Sequence, residues 1–149
     1  MSGCCHGAGI LTASSCPRTG TRGHAVELLT VKALLTDVAL RRLWPGPHRF
    51  CPAPGCEVVY FDERDNVFTK DDLRAAVWQK EPPGARKICY CFGENEADIR
   101  DEIRQTGASD AVRRVREHIA AGRCACEIRN PRGVCCLGDV AQAVDRMRT

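Results

Sequence analysis

The chain has 149 residues, a net charge of +3, 5% aromatic residues and 11 cysteines. So short a chain holds one ordinary domain or two very small ones, and with few large rings a small one buries little apolar surface unaided. An odd cysteine count argues against a closed disulfide framework, evenly mixed acids and bases against a nucleic-acid binder, and the lack of any run near the roughly 20 apolar residues of a bilayer span against membrane insertion. Cysteines as metal ligands remain, in a reducing, cytoplasmic compartment that keeps thiols available.

Residues 1–15, MSGCCHGAGILTASS, are small and glycine-rich and read as a flexible tail, without the basic segment and apolar run of a secretory signal. Order is expected from Cys16. Residues 26–31 are apolar and partly β-branched, and Thr36 with Asp37 starts a helix over 37–43 that Pro45-Gly46-Pro47 stops. Residues 57–61 form a strand, 62–66 a turn, and Val67 and Phe68 the hairpin partner. Thr69 with Asp72 makes a capping pair that opens a short helix reaching Val77. Glu81-Pro82-Pro83-Gly84 breaks regular structure and divides the chain into halves.

The second half is helical in pattern. Asn95 caps a helix with Ile99 and Ile103 on one face, ended by Gly107. Ser109 caps another, with Val112, Val115 and Ile119 on one face, ended by Gly122. A last helix over 139–147 aligns Val140, Val144 and Met147.

Six cysteines in this half fall in three pairs: Cys89 with Cys91, Cys124 with Cys126, and Cys135 with Cys136. Each pair lies in a loop beside a helix end. A helical hairpin between Cys91 and Cys124 folds the chain back so that the loops meet. Four thiolates without histidine suit either tetrahedral zinc or a [2Fe-2S] cluster, and C-x-C spacing is less usual for zinc, whose knuckles favour C-x(2–4)-C. In the first half, Cys51 and Cys56 form a C-x4-C knuckle around Pro-Ala-Pro-Gly, a strong half-site for zinc, with Cys16 the natural third ligand. His48 follows Pro47 in a loop, and His118 reads as a surface residue on a helix.

The segment Ile88-Cys-Tyr-Cys-Phe-Gly, the helical hairpin and Gly122-Arg-Cys-Ala-Cys-Glu-Ile-Arg-Asn-Pro-Arg-Gly-Val-Cys-Cys-Leu-Gly resemble the [2Fe-2S] module of CopZ-type copper chaperones, itself similar to bacterioferritin-associated ferredoxin. Cys51-Pro-Ala-Pro-Gly-Cys-Glu-Val-Val-Tyr-Phe resembles the zinc-binding part of the same family's N-terminal domain. The resemblance implies cluster ligands Cys89 and Cys91, one cysteine before the Asn130-Pro131-Arg132-Gly133 turn and one after it. Cys126 and Cys136 are the favoured pair, and spacing leaves Cys124 and Cys135 open. It also implies a C-P-x-C stretch at the N-terminal zinc site, where this chain has Cys16-Pro17-Arg18-Thr19. The missing fourth ligand is then sought among Cys4, Cys5, His6 and His24.

The expected fold is therefore α+β. A zinc-ribbon-like unit over 16–81, with a hairpin and short helices, precedes an all-α cluster-binding unit over 86–149. The expected function is metal handling, with copper the implied metal and single electrons passed through the cluster. The partner is a copper-binding protein or a redox protein. The chain stops at Thr149 without the copper domain that follows in the full-length chaperones, so direct delivery to a pump is not expected. The second reading is an interaction module in which both metals only staple the fold. No nucleotide loop, metalloprotease motif or nucleophile–base pair points to an enzyme, unless the cluster itself reduces a metal ion.

Overall fold

The computed structural model describes residues 14–148, and the chain divides after Lys80 into two units. The expected tail lies almost wholly outside the described residues. Ser14 and Ser15 are bonded into the first unit: Gly23 donates to the Ser14 carbonyl, and Ser15 bridges Arg22.

In the first unit, β-branched and aromatic residues build an antiparallel sheet. Its strands are β1 (His24–Val26), β2 (His48–Phe50), β3 (Val58–Asp62) and β4 (Val67–Thr69), adjacent in that order. The register pairs His24 with Phe50, Phe50 with Tyr60, and Phe61 with Val67. Every residue of β3 is buried, as befits an inner strand covered on both faces. A register irregularity between Val58 and Tyr60 breaks the two-residue alternation. Val59 and Tyr60 consequently join the main core, whereas Val58 and Phe61 pack with the cysteines. The sheet has four strands where the sequence suggests only a hairpin, because β1 and β2 are three residues long and carry no alternation to read.

The 26–31 stretch is split by Glu27, an extended residue that ends β1 and begins α1 (Leu28–Leu34). Val31, Leu34 and Leu35 pack against Phe50, Tyr60 and Phe68. At roughly 1.5–3 kcal/mol for each large apolar side chain buried, such contacts carry most of this unit's apolar stabilisation. Thr36 caps α2 (Asp37–Leu40) through a bond from the Ala39 amide. This helix is shorter than the expected 37–43: Arg42 and Leu43 reach back only three residues, to Ala39 and Leu40, tightening the end into a 3₁₀ turn.

The Thr69–Asp72 capping box forms, yet the helix expected to reach Val77 stops after Lys70–Asp72. Leu73 instead bridges Leu35, and the Arg74 amide donates to Leu34. Tertiary pairing with the end of α1 overrides local propensity. A second 3₁₀ turn, Trp78–Lys80, closes the unit.

In the second unit the regular elements among the described residues are α3 (Glu96–Thr106), α4 (Ala111–Ala120), α5 (Cys126–Arg129) and α6 (Leu137–Arg148). Asn95 caps α3 by accepting from the Asp98 amide. Gly107, at φ +82°, ends it in the left-handed conformation that glycine adopts without steric cost. Ser109 accepts from the Ala111 amide and donates to Glu102, tying α4 to α3. α6 packs against both helices, with Ile99, Val115, Val140 and Ala143 fully buried. No helix among the described residues is long and apolar enough to cross a membrane.

Charged clamps hold this unit's turns. The Arg114 guanidinium bonds both Glu94 and Glu102 at 2.7–2.9 Å. Buried Glu96 accepts from the Gly84 and Arg86 amides and from the Arg86 guanidinium at 2.7 and 2.9 Å.

Candidate metal centres

The first centre is built from two tight turns. In one, the Cys16 amide donates to Thr21 and the Gly20 amide to Cys16, and Gly20 takes φ +71°. The chain curls so that the Arg18 and Thr19 amides face the Cys16 sulfur. In the other, the Cys56 amide donates to the Ala53 carbonyl and the Ala53 amide faces the Cys51 sulfur, while the Cys51 amide is anchored to Val59 of β3. The turns meet beside Val58 and Phe61, so that Cys16, Cys51 and Cys56 are all buried and their sulfurs lie within 4.8 Å of one another.

Cys16 and Cys56 are 3.8 Å apart at sulfur. Four sulfurs placed tetrahedrally at a Zn–S length of about 2.3 Å stand about 3.8 Å from one another, so the spacing suits one such ion. Among the described residues no further cysteine, histidine or carboxylate joins the group. Near it is Thr19, whose hydroxyl lies 4.0 Å from the Cys51 sulfur and donates to Thr21 at 3.1 Å. Cys4, Cys5 and His6 fall outside the described residues. His24 sits exposed on β1 and is not one of the group. His48, expected in a loop, is buried in β2 instead, with Nδ1 at 2.8 Å from the Gly46 carbonyl and Nε2 at 3.9 Å from Asp62.

Burial works against ionisation of Cys16, but the Arg18 and Thr19 amides and the Thr19 hydroxyl outweigh it and draw its pKa down. At Cys51 burial wins and the pKa rises. Lys80 supplies the opposite charge. It is 6% exposed and its Nζ donates to the Ala53 carbonyl at 2.7 Å. Burial lowers its pKa, against the thiolates of Cys51, Cys56 and Cys16, which raise it. Nothing in the sequence marks this lysine, which reads as an ordinary surface residue between Gln79 and Glu81.

The second cluster of cysteines collects at the helix ends of the second unit. Lys87 bridges Asn95 and closes the Cys89–Cys91 loop. The Gly93 amide donates to the Cys89 carbonyl, with Gly93 at φ +77°, and the Cys91, Phe92 and Glu94 amides face the Cys89 sulfur. Cys91 and Cys126 lie 3.8 Å apart at sulfur, and the Ala125 amide donates to the Cys91 sulfur at 3.2 Å. Cys89 hydrogen-bonds Cys136, whose amide faces the Cys126 sulfur. Cys89, Cys91, Cys126 and Cys136 are thus joined through two close pairs. Cys126 opens α5 rather than lying in a loop. Cys135 is exposed and Cys124 half-buried.

Electrostatics mirrors this pairing. The Cys136 thiol donates to Cys89 and draws its pKa down to about 6, while Cys136 is raised because the pair shares one proton. Burial pushes Cys126 up to about 12. Phe92 stacks on His118 with ring centres 4.0 Å apart, so this histidine is tied to the loop of Cys89 and Cys91 and is not a free surface group.

Residues 13–74 match the family model described as a zinc-binding domain of the CopZ type. The solved N-terminal domain of CopZ from Archaeoglobus fulgidus is similar over 86% of this chain and 95% of its own, at 32% identity and a TM-score of 0.70. The chain belongs to the family of CopZ N-terminal domains. The CopZ-type domain found here has a curated relative in the copper chaperone CopZ of Archaeoglobus fulgidus, 34% identical over 122 residues. That match takes in 81% of this chain and spans 57% of the length of the relative.

Proposed function

We propose that this chain is a metal-handling redox protein rather than an enzyme. In this reading the unit over 16–81 holds zinc on Cys16, Cys51 and Cys56, and the unit over 86–149 holds a [2Fe-2S] cluster on Cys89, Cys91, Cys126 and Cys136. When bound, such a cluster supplies one-electron transfer. The likeness to a copper chaperone points to copper as the handled metal, in the cytoplasm, with a copper-binding or redox protein as partner.

The observation that carries the cluster is how the second group of cysteines is spaced. Its sulfurs come as two pairs: Cys91 and Cys126 lie 3.8 Å apart, and Cys136 hydrogen-bonds Cys89. Two pairs suit two irons bridged by sulfide, whereas a single tetrahedral ion needs four equidistant sulfurs. Ala125 and Cys136 aim amides at Cys91 and Cys126, and three amides face Cys89. These donors stabilise negative charge on ligand sulfur and orient each thiolate.

At the first centre the backbone and Val59 fix the Cys51 knuckle, and the Cys16 turn brings in the third sulfur. Thr19 stands where the family pattern has a cysteine, and its neutral hydroxyl completes no strong fourth bond.

Anaerobic purification followed by metal and sulfide analysis, with EPR of the reduced form, tests the assignment. The expected result is about two irons, two acid-labile sulfides and one zinc per chain, with an EPR signal on reduction. A colourless, iron-free protein overturns the cluster. A loaded cluster that stays silent across the accessible potential range favours the reading in which both metals are structural staples.

A further inference from the structure

An ammonium group inside the first unit is costly to bury, and Lys80 is nevertheless 6% exposed. It is aimed at the metal centre. Its Nζ bonds the carbonyl of Ala53, inside the loop between Cys51 and Cys56, and the opposite charges acting on it are those of Cys51, Cys56 and Cys16 in that order, with Lys70 a weaker repulsion. A latch on a carbonyl alone needs only a neutral donor, which burial penalises far less than a charge. The position of the charge therefore requires an explanation beyond the latch.

Charge counting at the site supplies one. Three thiolates around a divalent ion leave a single negative charge in a buried setting, where uncompensated charge is strongly disfavoured. One ammonium cancels it. A fourth thiolate brings a second negative charge that Lys80 cannot also cancel, and position 19 is a threonine.

Resting on the zinc reading above, we propose that Lys80 is the counter-charge of the three-cysteine centre, its ammonium making the site electrically complete with three thiolates, a divalent ion and a neutral fourth ligand. Lys80 touches no metal in this account. It acts through the field at the three sulfurs and through the Ala53 carbonyl that shapes the knuckle.

The test is a set of zinc affinities measured on the full chain under reducing, anaerobic conditions, by competition with a chromophoric chelator. Lys80→Gln keeps a donor for the Ala53 carbonyl and removes the charge, and Lys80→Arg keeps the charge. Outer-shell partners of metal sites are typically worth about 10–100-fold in affinity. Lys80→Gln is expected to weaken zinc binding at least about tenfold, and Lys80→Arg to bind more tightly than Lys80→Gln. In a Thr19→Cys background, where the site gains a fourth thiolate, the penalty of Lys80→Gln is expected to grow. A structural latch gives the same penalty in both backgrounds, and that result overturns the proposal. Should Lys80→Gln fail to fold, Lys80→Arg decides: affinity near wild type supports the charge role, and a collapse equal to that of Lys80→Met overturns it. Wild-type protein that takes up no zinc defeats the metal reading itself, whereas equal zinc affinity in wild type and Lys80→Gln defeats only the role of Lys80.

Discussion

The sulfurs of Cys91 and Cys126 lie 3.8 Å apart across 35 residues of sequence, matching the 3.8 Å between Cys16 and Cys56 across 40 residues. In both places a tight turn presents one sulfur and a distant segment brings its partner, with backbone amides facing the sulfurs. The two centres differ in what lies around that pair. A third sulfur crowds the first centre, while a second separate pair accompanies the other.

In the proposed assignment, replacing the cluster ligands separates them from the surplus thiols. Cys126→Ser and Cys136→Ser are expected to abolish iron and labile sulfide, because each removes a member of a close pair. Cys135→Ser is expected to retain both, since Cys135 is exposed. Metal and sulfide analysis of the three variants reads this directly. Anaerobic alkylation with mass spectrometry should label Cys135 before any of the four ligands.

Thr19→Cys supplies the thiolate that the first centre lacks. Its hydroxyl already stands 4.0 Å from the Cys51 sulfur, so a sulfur there is within reach of a shared ion. The added Zn–S bond is expected to raise zinc affinity by less than it would in a neutral setting, because Lys80 cancels only one of the two negative charges, and since binding free energy is folding free energy the melting temperature of the loaded protein rises correspondingly little. Chelator competition and calorimetry measure the two effects.

Glu96 gives the second unit a defined acid sensitivity. The Arg86 guanidinium, with the Gly84 and Arg86 amides, holds its carboxyl down at about 2 against the opposing effect of burial. A carboxyl depressed in the folded state stabilises above its unfolded pKa of about 4.3, and that contribution fades as pH falls toward 2. Glu96→Gln is therefore expected to cost about 2–3 kcal/mol near pH 7, less than the full shift because the pair is partly solvated. Wild type and variant should converge between about pH 4 and pH 2. Thermal melts across this range, at matched metal content, check the convergence.

Arg114 joins α3, α4 and the cysteine loop through Glu94 and Glu102, and it holds the Glu102 carboxyl down at about 2. Arg114→Met leaves nearly buried Glu94 without its partner, a loss on the order of 2–3 kcal/mol after allowing for the partial exposure of Arg114 and Glu102. Hydrogen exchange should show the hairpin amides losing protection before those of the first unit. Uniform loss across both units would contradict the local role assigned to this clamp.

Local signals in the sequence decided a good part of this fold. Asn95 and Gly107 mark the ends of α3 because capping and left-handed turns are chemistry between near neighbours. Val140 and Val144 mark the buried face of α6 through helical period alone. The hairpin of β3 and β4 is readable from apolar runs on either side of a polar turn, and the knuckle of Cys51 and Cys56 from proline and glycine between two thiols.

Only the tertiary structure decided the rest. β1 and β2 form because Phe50 and Val26 find partners in the core, which three-residue segments cannot announce. Leu73 leaves a well-capped helix to pair with Leu35. Which of the six cysteines of the second unit face one another, and that Lys80 turns inward to the Ala53 carbonyl instead of outward to water, depends on distances through space between residues far apart in the chain. Such distances have no local signature, since they arise from the packing of whole elements rather than from any single stretch of sequence.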